Sequence, residues 1–230
     1  MATTLAKLPW FADARDLDLS KFERRVNWKR YDEGEVVVDF EDVSDDVFFI
    51  SSGDLRVLIR TAAGKEIILA EPKGGEFFGE LAAIDETPRS ANVTALTRAE
   101  LCIVPAAAFR ELVLSSPTLA RKLMRLLATR VRELNQRLAE HTLLDVRHRL
   151  YSELLRLSRK RAGHGDKPVV SPPPYHHVLA ARIGCRREQV TRELSALVHE
   201  GLVTKAKGAV VIENADELRA RIAHALREGA

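Results

Sequence analysis

The chain has 230 residues, of which 46% are hydrophobic and 30% charged, and its formal net charge is +3. This composition is typical of a globular protein, and no apolar run approaches the ~20 residues that a membrane-spanning helix needs. Residues 1–7 also lack the long apolar segment of a secretory signal, so we expect a cytoplasmic protein with no membrane partner. Its two cysteines, Cys102 and Cys185, are too few for a disulfide framework or an iron–sulfur cluster.

The charged residues are unevenly distributed along the chain. Acidic side chains dominate residues 32–35 and 41–46, whereas basic side chains concentrate after about Arg121. A mildly acidic front half and a basic back half favour a protein whose C-terminal part contacts phosphate groups.

The first predicted element is a short helix over residues 17–27. Between residues 30 and 103 the pattern changes to short runs of β-branched and aromatic residues, separated by turn signals such as residues 52–54, 63–65 and 73–75. Many short strands at regular spacing predict an antiparallel barrel or roll. The predicted strands are centred on residues 36–38, 47–50, 55–59, 67–69, 93–96 and 101–104.

From Ser116 onward the sequence predicts a long helix with one apolar seam. Its apolar positions recur in alternating steps of three and four residues, with Arg and Glu on the flanks. One interpretation is an amphipathic helix that packs on its own roll. The other, which the heptad period favours, is a parallel homodimer formed through residues 118–145. The seam consists of Met124, Leu127, Val131, Leu134, Leu138 and His141.

The remaining predicted elements are mostly helical. A helix over residues 146–161 is followed by a loop rich in glycine and proline, and we place a domain boundary near residues 142–146. Two helices joined at Gly184 come next, then a strand, turn and strand over residues 203–212. A final helix covers residues 215–227.

Gly79, Glu80, Arg89 and Ser90 combine chemical groups suited to a cyclic nucleotide. Gly79 lets the backbone approach a ligand because it has no Cβ, and Glu80 offers two acceptor oxygens for a ribose hydroxyl. Arg89 supplies a planar fork of donors for a phosphate diester, and Ser90 adds a hydroxyl donor. The alternative is a surface turn in which Glu80 and Arg89 pair only with each other.

Residues 178–194 have the layout of a helix-turn-helix, with Gly184 between two helices of apolar periodicity. The second helix is predicted to direct its apolar side chains inward and to keep Arg187, Glu188 and Arg192 exposed. Arginine is suited to guanine and glutamate to the cytosine amine, so these three side chains are candidate base readers. The alternative is a solvated helix face with an i, i+4 pair between Glu188 and Arg192. The side chains predicted to face inward are Val190, Leu194, Leu197 and Val198.

Both segments resemble the cyclic AMP receptor protein/FNR (CRP/FNR) family of transcription factors, and the resemblance covers nearly the whole chain. Residues 79–81 and 89–91 are similar to the family's phosphate-binding cassette, Gly-Glu-Leu followed by Arg-(Ser/Thr)-Ala. Residues 184–192 match its Gly-Cys-x-Arg-Glu-x-Val-x-Arg pattern. The family fold implied is α+β: an N-terminal cyclic-nucleotide-binding antiparallel β-roll (jelly roll), a long dimerisation helix and a C-terminal winged helix-turn-helix.

The resemblance also implies site residues for an effector. Glu80 would bind the ribose, Arg89 and Ser90 the phosphate, while Gly79, Leu81 and Ala91 would line the cassette. Arg130 aligns with a family arginine that reaches toward the pocket, although a solvated helix flank is an equal alternative. The family reads adenine with two hydroxyl residues on the long helix, at positions occupied here by Leu134 and Asn135.

Those two positions depart from the family pattern and leave the effector open. Leu134 cannot hydrogen-bond to a base, whereas Asn135 can donate and accept. The resemblance still favours cyclic AMP as the effector, with cyclic GMP and cyclic di-GMP as alternatives, and no metal or other cofactor is expected.

On the DNA side, the resemblance implies that Arg187, Glu188 and Arg192 read a TGTGA-like half-site of a two-fold operator. Lys205 and Lys207 fit the wing, where lysines hold phosphates. His177 occupies a place that often contacts phosphate, although the family usually has a different helix start. Double-stranded DNA, a second copy of the chain and RNA polymerase are the expected partners.

The predicted domains are residues 1–117 for the β-roll, 118–145 for the dimerisation helix and hinge, and 146–230 for the DNA-binding domain. Two other function classes remain as alternatives: a nucleotide-binding module that regulates an enzyme, and a regulator of the same fold that needs no nucleotide or senses redox state, haem or gas. The sequence predicts no catalytic activity of its own.

Overall fold

The computed structural model describes residues 4–61, 64, 66–163 and 165–228. Most of the turn predicted at residues 63–65 lies outside the described residues. The chain forms two compact units, Met1–Arg130 and Val131–Ala230. Among the described residues, no helix is both long enough and apolar enough to cross a membrane.

The first unit is built on two antiparallel sheets of four strands each, in the orders β1-β8-β3-β6 and β2-β7-β4-β5. This arrangement confirms the predicted roll and adds β1 and β6, which the sequence pattern did not indicate. The strands are β1 Asn27–Tyr31, β2 Val36–Val38, β3 Val47–Ser52, β4 Leu55–Arg60, β5 Glu66–Ala70, β6 Phe77–Phe78, β7 Asn92–Ala95 and β8 Ala99–Val104.

Alternating side chains of the two sheets form one core, in which Tyr31 and Ile50 pack with Leu55 and Val93. A second core of aromatic rings lies on the other face of the first sheet. There Phe49 packs 5.0 Å from Phe77, measured between ring centroids. The two cores cover both faces of β3, which explains the continuous apolar run of this strand.

The helix predicted over residues 17–27 is wrong. The structure has one short 3₁₀ turn, Leu19–Lys21, and then enters β1 at Asn27. The Asp18 carboxylate accepts hydrogen bonds from the backbone N–H and the hydroxyl of Ser20. These bonds cap the start of the turn, and from Asn27 onward the chain is extended because β1 pairs with β8.

The helices α1 Glu80–Asp85 and α2 Ala106–Ser115 each follow a strand of the roll, and α3 Pro117–Leu143 comes directly after α2. Between α2 and α3 the buried Ser116 donates to the carboxylate of Asp16 and accepts from the backbone N–H of Leu119. This capping pattern separates α2 from the 27-residue helix α3, which the heptad pattern predicted.

The second unit contains the last turns of α3 and a small sheet in the order β11-β12-β10-β9, surrounded by helices. It has the predicted winged helix-turn-helix layout. Its elements are α4 Val146–Leu157, β9 Arg159–Lys160, β10 Pro168–Val170, α5 His176–Ile183, α6 Arg187–His199, β11 Val203–Ala206, β12 Ala209–Ile212 and α7 Ala215–Glu228.

Two details of this unit differ from expectation. Helix α4 begins where Asp145 accepts from the backbone N–H of His148, as an N-cap should, but it ends at Leu157 and not at residue 161. The chain turns at Ser158 because the next two residues pair with β10. On α6 the predicted inward position of Val198 is wrong, since 38% of this residue is exposed.

Candidate nucleotide site and nucleic-acid interface

Gly79 joins β6 to α1 and lets two other segments approach the backbone closely. Its φ of +86° lies in the left-handed region, which disfavours side chains. A Cβ here would lie 2.7 Å from the carbonyl oxygen of Asp46 and 2.8 Å from Nη1 of Arg89. The glycine is therefore required by both its backbone conformation and its neighbours.

Glu80 is a buried carboxylate that is paired with an arginine of α3. Only 2% of Glu80 is exposed, and its Oε1 accepts from Nη1 of Arg130, which also donates through Nη2 to the Phe77 carbonyl at 3.2 Å. Burial raises the pKa of Glu80, and the charge of Arg130 opposes that shift. Of the two alternatives left by the sequence for Arg130, the structure places this side chain at Glu80.

Arg89 is 4% exposed and is oriented by three acceptors. Its Nε donates to Oγ of Ser44 at 3.1 Å, its Nη1 to the Gly79 carbonyl at 3.1 Å and its Nη2 to the Asp46 carbonyl at 2.7 Å. Burial lowers the pKa of this guanidinium, and the Asp46 carboxylate opposes the shift. The result is a buried guanidinium of fixed orientation, held by two carbonyls and the Ser44 hydroxyl and not by Glu80.

The other predicted cassette residues surround these groups. Ser90 is exposed beside Arg89, Ala91 is buried and Leu81 is half exposed. Leu134 and Asn135 lie on α3 within the second unit, both exposed, so their role at a base stays a prediction. Sequence reasoning missed Ser44 and Asp46, which orient Arg89 from the loop before β3.

The helix-turn-helix is formed by α5 and α6 around Gly184, whose φ is +67°. A Cβ at Gly184 would lie 2.9 Å from Cε1 of His141. On α6, Val190, Leu194 and Leu197 are buried in the core of the unit. This fixes one face of α6 inward and leaves the opposite face exposed.

The exposed face of α6 carries the predicted base readers. Arg187 and Glu188 form the first turn of the helix and are both exposed. Arg192 is also exposed and contacts Glu193 at 3.0 Å, instead of forming the i, i+4 pair with Glu188. The three side chains therefore share an accessible surface at the N-terminal half of α6, which is the part of a recognition helix that reaches base edges.

Residues of α5 and the wing extend this surface. His177 is exposed and stacks on Tyr175, with ring centroids 5.6 Å apart, while Lys205 and Lys207 are exposed on the wing. His176, which sequence reasoning missed, links the two helices because its Nδ1 lies 2.7 Å from Oγ1 of Thr191. The pKa of His176 is lowered by burial and then by Lys205 and Arg187, so this imidazole belongs to a positively charged surface.

In the part of the chain that the structure describes, no group of three or more His, Cys, Asp or Glu side chains is arranged to hold a metal ion. Cys102 is buried, and burial raises the pKa of its thiol to about 12. Such a thiol stays protonated and is a weak nucleophile.

Comparison with known families assigns both units. Residues 28–116 match the model of the cyclic nucleotide-binding domain. Residues 148–221 match that of the Crp-like helix-turn-helix domain.

Curated relatives cover most of the chain. The cyclic AMP receptor protein of Thermus thermophilus is 34% identical over 200 residues, which are 87% of this chain and 88% of the relative. The CRP-like cAMP-activated global transcriptional regulator of Mycobacterium tuberculosis is 25% identical over 222 residues, or 96% and 99% of the two chains.

Solved structures of similar fold also cover nearly the whole chain. The catabolite activator protein of T. thermophilus is 30% identical, with a TM-score of 0.50 and coverage of 95% of this chain and 99% of that one. A mutant of CooA from Carboxydothermus hydrogenoformans has a TM-score of 0.79 and coverage of 96% and 97%. At 17% identity, that likeness concerns the fold alone.

We expect Arg130→Met to destabilise the protein at neutral pH, because it leaves the buried Glu80 carboxylate without its cationic partner. A fully buried ion pair that loses one partner costs about 3–5 kcal/mol, and we expect a smaller loss, about 1–3 kcal/mol, because Arg130 is itself partly exposed. Urea unfolding of wild type and variant measures the difference. Arg132→Met is the matched control, since Arg132 is an exposed arginine of the same helix.

The loss of unfolding free energy caused by Arg130→Met should depend on pH, and the direction of the Glu80 pKa shift determines how. The pKa of Glu80 is raised in the folded state, so its contribution to stability is largest in acid and is lost as pH rises through the folded pKa. Removal of Arg130 raises that pKa further. The difference between wild type and variant should therefore shrink as pH falls toward about 4, and a constant difference would contradict the ion pair.

We expect Gly184→Ala to lower the free energy of unfolding by more than Gly201→Ala. Both glycines have positive φ, and an alanine placed in this left-handed backbone conformation costs about 1–2 kcal/mol. Only Gly184 has a neighbour in the way, His141, whereas a Cβ at Gly201 would meet nothing within 4 Å. Chemical unfolding measures the loss of unfolding free energy in each variant. Equal losses would show that His141 does not lie close to Gly184.

Proposed function

Because this chain belongs to the CRP/FNR family of DNA-binding transcription regulators, we propose that it is a homodimer whose operator binding is controlled by a cyclic nucleotide. The observation that carries the proposal is the pair of buried, oppositely charged groups around Gly79. Glu80 is held by Arg130, and Arg89 is held by carbonyls and Ser44. The relatives are described as a cyclic AMP receptor protein and as a transcriptional regulator, and we propose no catalytic role.

In the proposed complex, Glu80 accepts a hydrogen bond from the ribose, while Arg89 and Ser90 donate to the cyclic phosphate. Gly79 allows the close approach, and Leu81 and Ala91 complete the lining. Support comes from the chemistry of the groups: a phosphate diester has one negative charge and acceptor oxygens, which an oriented guanidinium matches. The charge of Arg130 opposes the rise that burial causes in the pKa of Glu80.

We propose cyclic AMP as the effector, because the relatives from T. thermophilus and M. tuberculosis are both described by that nucleotide. On α3, Asn135 supplies the one amide that can donate to and accept from a base at the two predicted positions. Leu134 offers only apolar contact. Cyclic GMP and cyclic di-GMP are the competing outcomes of the binding experiment.

The dimer in this proposal forms along α3. Four apolar side chains at heptad spacing are exposed on this helix, between 55% and 66% of each residue. A second copy of the same helix would cover them in a parallel coiled coil, through residues 118–145. The exposed positions are Met124, Val131, Leu134 and Leu138.

The proposed operator is a TGTGA-N6-TCACA-like palindrome. Arg187, Glu188 and Arg192 would read base edges in the major groove, and Lys205, Lys207 and His177 would contact phosphates. The effector acts by population shift, favouring the dimer packing in which two recognition helices match half-sites ~34 Å apart. RNA polymerase is the further partner that we propose for the DNA-bound dimer.

We expect calorimetry of the nucleotide-stripped full chain to show micromolar or tighter binding of cyclic AMP, with weaker binding of cyclic GMP and cyclic di-GMP. Ser90→Ala should weaken the binding about tenfold or more, since it removes a hydrogen bond to a charged group. Ser90 is exposed, so this variant spares the fold, unlike substitution of Arg89, which would also break three internal bonds.

Ser115→Ala, an exposed serine of α2, is the matched control for Ser90→Ala and should bind like wild type. If none of the three nucleotides binds while the duplex is still held tightly, nucleotide control is wrong for this chain. If only cyclic di-GMP binds, the effector assignment changes and the DNA-binding role stands.

Glu188→Ala should relax base preference at one position of each half-site, because a lost base contact removes about 1–3 kcal/mol of discrimination. Competition binding with duplexes that carry all four bases at each position measures this. Lys207→Ala is the comparison: loss of a phosphate contact should weaken all duplexes alike and reduce the salt slope by about 1. An unaltered preference in Glu188→Ala would remove Glu188 from the reading set.

A further inference from the structure

The second unit contains two buried carboxylates that have no role in the proposed function. Glu140 lies in the last turn of α3 and is 7% exposed, and Glu153 lies in α4 and is 2% exposed. Buried carboxylates are costly unless they are paired and hydrogen-bonded. Their partners therefore show which elements these charges tie together.

Arg156 of α4 bridges the two carboxylates. Its Nη2 lies 2.8 and 3.0 Å from the two oxygens of Glu140, and its Nη1 donates to Glu153. The other oxygen of Glu153 accepts from Nη1 of Arg182 at 3.0 Å. Since Arg182 is on α5, the chain of ion pairs runs from α3 through α4 to the first helix of the helix-turn-helix. We name these four side chains, Glu140, Arg156, Glu153 and Arg182, the ionic latch.

A second set of contacts joins the same elements nearby. Nδ1 of His141, in α3, lies 2.9 Å from Nη1 of Arg149, in α4. His141 also lies against Gly184, in the turn between α5 and α6. The end of α3 thus touches the turn that sets the angle of the recognition helix.

These contacts bypass the helix break at residues 144–145. A break between two helices is an obvious place for free rotation, and the sequence places a hinge there. Here Glu140 and His141 before the break are paired with Arg156 and Arg149 after it. Buried ion pairs of fixed geometry contribute little net stability, but they favour one arrangement of the elements that carry them. Residues 131–143 belong to the same compact unit as the DNA-binding helices.

We propose that the ionic latch holds the last turns of α3 and the helix-turn-helix in one orientation, so that a change in α3 reorients the recognition helix. Glu140, Arg156, Glu153 and Arg182 are thus positioning residues for effector-controlled operator binding, which itself rests on the proposed function. Without the latch, the break at residues 144–145 becomes a joint, and effector binding no longer changes operator affinity to the same extent.

The test uses the full chain with Glu140→Gln, which keeps the side-chain size but removes the charge that faces Arg156. Arg156→Lys is the second variant, because lysine keeps the charge but lacks the fork that bridges two carboxylates. Asp216→Asn is the matched control, since it breaks an exposed ion pair with Arg219 that lies within α7. Circular dichroism checks that each variant is folded.

The main measurement is the ratio of operator affinities with and without saturating cyclic AMP, by fluorescence anisotropy on a labelled TGTGA-N6-TCACA duplex. We expect this ratio to fall at least about fivefold in both latch variants, the lower end of typical allosteric couplings. Cyclic AMP affinity without DNA should change less than about twofold. A wild-type ratio in both variants, or an equal fall in Asp216→Asn, overturns the proposal.

Hydrogen exchange separates failure of the latch from failure of the proposed function. If cyclic AMP leaves operator affinity unchanged in wild type, the proposed gating fails, and the latch is judged by exchange alone. Amides of residues 136–143 should then lose about tenfold protection in Glu140→Gln relative to Asp216→Asn, while those of the buried face of α6 keep theirs. Unchanged protection of residues 136–143 overturns the latch.

Discussion

The enclosure of the Glu80 carboxylate sets the conditions for the rest of the first unit. A carboxylate that is 98% removed from solvent needs a cation, and Arg130 supplies it from a helix fifty residues later in the chain. Gly79 leaves room for Arg89 on the other side, and the carbonyls of the loop before β3 orient that guanidinium. The roll therefore presents one acidic and one basic side chain, each oriented by partners within the protein.

The second unit uses the same physical device for another purpose. Glu153 is as deeply buried as Glu80, but its partners Arg156 and Arg182 come from α4 and α5, two helices of the unit that contains the helix-turn-helix. In both units the buried ion pairs restrict the orientation of the groups that carry them, because an ion pair with hydrogen bonds tolerates less rotation than apolar packing does. The groups proposed to meet DNA remain exposed.

Function in this chain also depends on surfaces that the fold leaves uncovered. Four apolar side chains of α3 stay exposed at heptad spacing, and the basic face of α6 stays open beside the wing. The core of each unit explains why: α3 contributes Leu119 and Leu123 to the first core, and α6 contributes Val190, Leu194 and Leu197 to the second. The opposite faces are the ones that we propose bind a second copy and nucleic acid.

The sequence by itself determined the alternating strands of the roll, the heptad helix, the turn at Gly184 and the spacing of Gly79, Glu80, Arg89 and Ser90, because each depends on residues close together in the chain. Only the tertiary structure decided the partners of the charged groups: Arg130 for Glu80, Ser44 for Arg89, Arg156 for Glu140 and Thr191 for His176. It also replaced the helix predicted over residues 17–27 with a short 3₁₀ turn, Leu19–Lys21, ahead of the strand β1, which pairs with the distant β8. Charge pairing between distant residues follows from topology, which brings elements together over distances that no local pattern records.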